Sequence, residues 1–193
     1  MSVLRTCLEW IVVVGLVALL LFVFVIRTFY ISSISMIPTL QIGDIFLSDQ
    51  LAYRLHAPRD GEIAVFAPPV HLASNEFIKR VVGVPGDTIR ISDGIVYRNG
   101  TPLAEPYENE PPSYDLEIRN YRIYVNGRTL NPAQADIPPR GMWQAPDRIP
   151  RGYYFMLGDN RNYSDDSHVW GFVRRAAFSG QAFMILWPHL KVL

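Results

Sequence analysis

The run Phe77-Ile78-Lys79-Arg80-Val81-Val82-Gly83-Val84, closed by Pro85-Gly86-Asp87, carries the reading of the fold. It is apolar on both faces, which predicts a strand covered on two sides rather than an alternating surface strand. The closing triplet predicts a turn, since proline presets φ near −65° and glycine tolerates positive φ. Working outward, further short β-like runs occur at 45–47, 62–66, 88–91, 95–97, 122–125, 153–157 and 182–187. Gly43-Asp44 and Asp60-Gly61 separate some of them, and helical periodicity is almost absent after residue 28. The chain beyond that point therefore reads as mostly β.

Two segments resemble each other, Val96-Tyr97-Arg98-Asn99-Gly100 and Ile123-Tyr124-Val125-Asn126-Gly127. Each is a strand running into Asn-Gly, the pair suited to a two-residue type I′ hairpin turn. The stretch 92–150 that holds them is rich in proline and reads as an insert or small β subdomain. It divides one β domain into residues 28–91 and 151–193.

Before the β region lies an uncharged run of 17 residues, Trp10 to Ile26. As a helix it would be about 25 Å long, near the roughly 30 Å thickness of a bilayer's hydrocarbon core. Residues 10–27 are thus expected to be a transmembrane anchor behind a short flank, 1–9, with Trp10 and Phe29-Tyr30 suited to the two interfaces. A cleaved leader would be followed by a small-x-small site, whereas the chain continues Arg27-Thr28-Phe29-Tyr30. With 193 residues and 49% hydrophobic composition there is room for one anchor and one soluble domain. The net charge of zero gives no basic excess for nucleic acid, and the single cysteine, Cys7, excludes an intrachain disulfide.

Ser35, in Ile34-Ser35-Met36-Ile37-Pro38-Thr39-Leu40, lies nine residues past Ile26 and so within roughly 30 Å of the membrane. A serine nucleophile needs a base. The histidines, His56, His71, His168 and His189, stand in no recognisable serine-hydrolase setting, and Gly-x-Ser-x-Gly and Ser-x-x-Lys are both absent. Lys79 is the remaining candidate. In a strand it shares a face with Phe77 and Val81, and burial there would have to lower its pKa from near 10.4 to about 7–8. The alternative is a lysine whose stem packs on the sheet while its head reaches water. A third cluster, Gly158 to His168, is dense in Asp and Asn but lacks the spacing of a calcium loop. It reads as a polar scaffold, and neither metal nor cofactor is expected.

Together these segments resemble the bacterial type I signal peptidases, membrane-anchored serine-lysine endopeptidases. The likeness rests on the anchor, on Ser35 to Asp44, on Lys79 to Asp87 and on Gly158-Asp159-Asn160-Arg161 through Ser164, Asp166 and Ser167, in the family's order. It implies an antiparallel β catalytic domain, Ser35 as nucleophile and Lys79 as general base. It also implies an oxyanion hole from the Ser35 N–H and the Ser33 hydroxyl. Ser164 would orient the lysine, and Asp159, Arg161 and Asp166 would hold the site's shape. The implied partners are secretory preproteins with the leader still in the bilayer, cut after small-x-small sites, together with membrane lipid. The implied place is the bacterial inner membrane, single-pass, with the catalytic domain on the extracytoplasmic side. Ser32, Ile34 and His168 depart from the family pattern, and Ile34 is expected to narrow the groove beside the nucleophile. A dedicated processing peptidase and a non-catalytic tethered β module are the rival readings.

Overall fold

The computed structural model describes residues 2–69 and 76–193, with side chains at 2–4 and 20–24 left out. Helix α1 (Ser2–Val25) runs without a loop into strand β1 (Ile26–Tyr30). The flank expected at 1–9 is thus helical from Ser2, and Ile26 and Arg27 belong to a strand rather than to the anchor. They pair with Asp49 and Ser48 of β2 (Ile45–Asp49), a setting in which β-branched and aromatic residues such as Ile26, Thr28 and Phe29 fit well. Among the described residues no helix is long and apolar enough to cross a membrane. The expected span at 10–27 includes residues 20–24, whose side chains lie outside the described set.

The elements that follow are α2 (Ala52–Leu55), β3 (Ile63–Phe66), β4 (Phe77–Gly83), β5 (Ile89–Ser92), β6 (Ile95–Arg98), β7 (Thr101–Pro102), β8 (Leu116–Arg119), β9 (Arg122–Val125) and β10 (Arg128–Thr129). The chain then forms β11 (Tyr153–Leu157), α3 (Ser167–Trp170), β12 (Val173–Arg174), β13 (Phe178–Trp187) and β14 (Lys191–Val192). An eight-stranded sheet has the order β1-β2-β13-β3-β4-β11-β12, with β14 added to β13. A six-stranded sheet has the order β10-β9-β8-β5-β6-β7. All strand pairs are antiparallel.

The second sheet is built from two-residue hairpins. Asn99-Gly100 joins Arg98 to its partner Thr101, and Asn126-Gly127 joins Val125 to Arg128, with positive φ at all four turn residues. Asp93-Gly94 and Asn120-Tyr121 make two more turns of the same kind. Because β5 pairs with both β6 and β8, this sheet begins at Ile89, short of the boundary expected at 92.

The central strands are apolar on both faces because each faces a separate core. In β11, Phe155 and Leu157 join one cluster with Ile89, Ile91 and Leu116 of the second sheet, while Tyr154 and Met156 join another with Phe66 and Val81. In β3, Ala64 and Phe66 face that second cluster, and Ile63 and Val65 face a third with Met36 and Leu40. The third core holds down the segment on either side of Ser35.

Gly171, which ends α3, has φ 83° and ψ −144°, a region nearly closed to residues with a Cβ. An added Cβ would sit 2.7 Å from the Asp136 carbonyl oxygen. Gly171→Ala is expected to lower folding stability by about 2–3 kcal/mol. An unchanged melting temperature would contradict that placement.

Candidate active site

Ser35 reaches the site from a tight turn pinned at both ends. Ile31 N–H donates to Asp44 O at 2.9 Å, Gly43 N–H donates to Ile31 O at 2.9 Å, and Leu40 N–H donates to Met36 O at 2.9 Å. Met36 and Leu40 are sunk into the core, which leaves the serine at the floor of a cleft of about 350 Å³. That cleft is also lined by Ser33, Phe77, Ile78, Lys79 and Asp165. Lys79 arrives from β4, 44 residues away in sequence, and its Nζ lies 2.6 Å from Ser35 Oγ. The Ser33 hydroxyl lies 3.1 Å from Ser35 Oγ and accepts from the Ser35 N–H at 3.2 Å.

Lys79 is only 5% exposed and shares its strand face with Phe77, whose ring centroid is 5.8 Å from Nζ. Desolvation lowers its pKa from the ordinary 10.5 to about 8, against the opposing pull of the Asp166, Asp165 and Asp159 carboxylates. Burial therefore outweighs three negative charges. An amine so placed is substantially neutral near pH 8 and can accept the proton of a hydroxyl 2.6 Å away.

The loop after β11 supplies the walls. Asp159 forms a two-pronged pair with Arg80, at 2.8 Å from Nε and 2.6 Å from the second guanidinium nitrogen, and also accepts from Thr39 Oγ1. Arg80 follows Lys79 in the strand, so alternation sends it to the opposite face while the lysine faces Ser35. Arg161, with a fully buried side chain, is held by Glu105 at 2.7 and 2.9 Å and donates to Gly158 O at 3.0 Å. Asp166 accepts from the backbone N–H groups of Gly158 and His168, at 3.0 and 3.2 Å. Its Oδ1 also lies 2.7 Å from His168 Nδ1.

Ser164 is buried beside the Ser35 carbonyl, since a Cβ added at Gly158 would meet both. Its hydroxyl makes no hydrogen bond, so the expected bond to Lys79 is not formed in this structure. Ile34 is 42% exposed and is not among the residues lining the cleft, so it does not narrow the groove as expected. The Ser35 hydroxyl bonds to Lys79 and Ser33, and none of the described histidines takes part. His56 contacts Ala57 O, and His168 stacks on Tyr114 with ring centroids 4.3 Å apart. His71 lies outside the described residues.

Sequence reading missed Asn160, which donates through its backbone N–H to Ser35 O and through Nδ2 to Ile34 O, both at 3.1 Å. It also missed the contribution of the proline-rich stretch. There Glu105 pairs with Arg161, and Tyr107 lies under the Arg80 guanidinium, 3.7 Å from ring centroid to Cζ. Asn160 sits inside a segment already singled out for its polarity, so that density was its one available signal. Nothing in the spacing of Glu105 or Tyr107 points to partners more than 25 residues away.

A serine hydroxyl on a dry, neutralisable lysine in an open cleft is the chemistry of a serine hydrolase with a lysine base. Comparison with known proteins gives the family. The family described as signal peptidase, peptidase S26, matches residues 4–187. A probable signal peptidase I-1 of Synechocystis sp. is 40% identical over 89% of this chain and 76% of its own length. Signal peptidase I of Leptolyngbya laminosa is 37% identical over 84% of this chain and 72% of its own. Signal peptidase IB of Staphylococcus aureus is 30% identical over 95% and 91%. The chain belongs to the signal peptidase family, and it is a serine endopeptidase that removes signal peptides.

With the Lys79 pKa at about 8, the folded protein binds fewer protons than the unfolded chain between about pH 8 and 10.5, so folding stability rises with pH across that window. Lys79→Met removes this dependence. Its stabilising effect at pH 7 is expected to exceed that at pH 10.5 by about 3 kcal/mol, measured by denaturant unfolding. Equal effects at the two pH values would mean that the amine is not desolvated.

Proposed function

We propose that Ser35 and Lys79 form the catalytic dyad, an assignment carried by the 2.6 Å contact between a buried amine of lowered pKa and the serine hydroxyl. Neutral Lys79 takes the Ser35 proton as Oγ bonds to the scissile carbonyl carbon. The oxyanion is received by the Ser35 N–H and by the Ser33 hydroxyl, which rotates away from Ser35 toward it. The ammonium then protonates the leaving amine, and the neutral amine activates the water that hydrolyses the acyl-enzyme. Ser164, Asp159, Arg161 and Asp166 keep the loop in shape, with Ser164 turning to bond the lysine during turnover.

The substrate binds as an extended strand. On one side β4 pairs with β3 along 77–80, but on the other β11 pairs only with Arg80, Val81 and Gly83, leaving the edge at 77–79 without a strand among the described residues beside the cleft. Main-chain pairing there accommodates varied sequences, with pockets reading alternate side chains. The expected preference is for small residues at the first and third positions before the cut. Exposure of Ile34 away from the cleft favours a general peptidase over a dedicated one.

Helix α1 is the membrane anchor in this reading, with the catalytic domain on the extracytoplasmic side. Support comes from its uncharged run and from Trp10, Ile11, Val14 and Leu16, which are exposed rather than packed on the β domain. β1 follows at once, so the dyad is tied to the anchor through a paired strand.

Cleavage of a precursor with a small-x-small leader site tests the dyad. Ser35→Ala and Lys79→Ala are expected to lower kcat/KM by more than about 1,000-fold, while single alanine variants of His56, His71 and His189 retain activity. For the wild type, kcat/KM is expected to rise with pH and level off above about 8. Undiminished cleavage by either dyad variant would overturn the assignment.

A further inference from the structure

Both peptide groups flanking Ser35 are held by one residue. Asn160 Nδ2 donates to Ile34 O at 3.1 Å, on the peptide that contains the Ser35 N–H, and Asn160 N–H donates to Ser35 O at 3.1 Å, on the next peptide. In a trans peptide the C=O and N–H point in opposite directions within one plane. Anchoring Ile34 O therefore fixes the direction of the Ser35 N–H, which faces Ser33 Oγ on the cleft side. The Asn160 amide is itself oriented. Its Oδ1 accepts from Asn109 Nδ2 at 3.3 Å, which turns its NH2 group toward Ile34, and Asn109 N–H donates to Asp159 O at 3.0 Å. Asn160 is only 4% exposed, so water does not compete easily for these bonds.

We propose that Asn160 is the positioning residue of the oxyanion hole, aiming the Ser35 N–H by holding the peptide plane from behind, with Asn109 of the segment between β7 and β8 setting its amide. The proposal rests on Ser35 being the nucleophile. Asn160 touches neither substrate nor reacting atoms, so its effect belongs to the transition state, where the donor must meet a developing charge within a few tenths of an ångström. Substrate binding in the ground state does not use that donor.

The test uses the full-length chain in detergent. Asn160→Asp keeps the backbone N–H and the acceptor for Asn109 but replaces the donor to Ile34 O. Comparing plateau values above pH 8 separates this from any effect of the new charge on Lys79. Asn160→Asp and Asn160→Ala are expected to lower kcat by about 10- to 100-fold with KM within about twofold. A peptide aldehyde with the cleavage-site sequence adds Ser35 Oγ to its carbonyl carbon and passes the serine proton to its oxygen, placing that oxygen in the hole. Its affinity should fall by the same factor as kcat, while the corresponding peptide alcohol, which cannot form the adduct, should bind as to wild type. Unchanged kcat, or equal losses for aldehyde and alcohol, would overturn the proposal. If the Asn160 variants do not fold, Asn109→Ala decides: a several-fold lower kcat at unchanged KM supports it, and wild-type kcat overturns it. Ser35→Ala run in parallel separates the two ideas, since wild-type cleavage by that variant would bring down the nucleophile assignment instead.

Discussion

An amine that is to take a proton near neutral pH must be kept dry, and in the proposed dyad the dryness of Lys79 is the condition on which the rest depends. A lysine in water is charged until about pH 10.4 and cannot accept a hydroxyl proton. β4 provides the burial by lying between cores on both faces, with Phe77 and Val81 on the lysine's own side. The same placement brings three carboxylates near enough to oppose the shift. The site is thus a balance in which desolvation wins, and any change that admits water at β4 would tip it back toward a charged, inert amine.

Two of the three carboxylates near Lys79 are engaged by other partners. Arg80 takes both oxygens of Asp159, and Asp166 is spent on backbone N–H groups and His168. Arg161 is fully buried and would be severely costly if unpaired, since breaking a buried ion pair typically costs about 3–5 kcal/mol. Its partner, Glu105, comes from the stretch between β7 and β8. The six-stranded sheet therefore does more than decorate the domain: through Glu105, Tyr107 and Asn109 it braces the loop that holds Ser35.

The strands were legible where burial on two faces forces an unbroken apolar run, as in 77–83 and 153–157, and where Asn-Gly dictates a turn. They were hidden where another signal covered them. β1 follows directly on the apolar helix, so that its first two residues, Ile26 and Arg27, look like the helix's end. β8 is four residues, with Pro111 and Pro112 shortly before it. β13 starts four residues earlier than its apolar part, because Ser179, Gly180 and Gln181 look like loop. Gly180 is there because Ser48 and Gln50 approach too closely for a Cβ. At the site, Ser35 and Lys79 could be paired by elimination and by resemblance, but the bond expected from Ser164 to Lys79 is absent in this structure, and Asn160 emerged only from geometry. Hydrogen bonds to backbone carbonyls leave no residue-type requirement on the accepting side, so sequence carries half of such a contact at most.

The central claim is that the Lys79 amine is neutral at a pH where an ordinary lysine is charged. The chain has only two lysines, Lys79 and Lys191, and Lys191 is exposed. Nuclear magnetic resonance of the protein labelled at lysine Cε therefore reads the amine directly. The account predicts a titration near pH 8 that disappears in Lys79→Met. A Lys79 signal that titrates near 10.5 would contradict it.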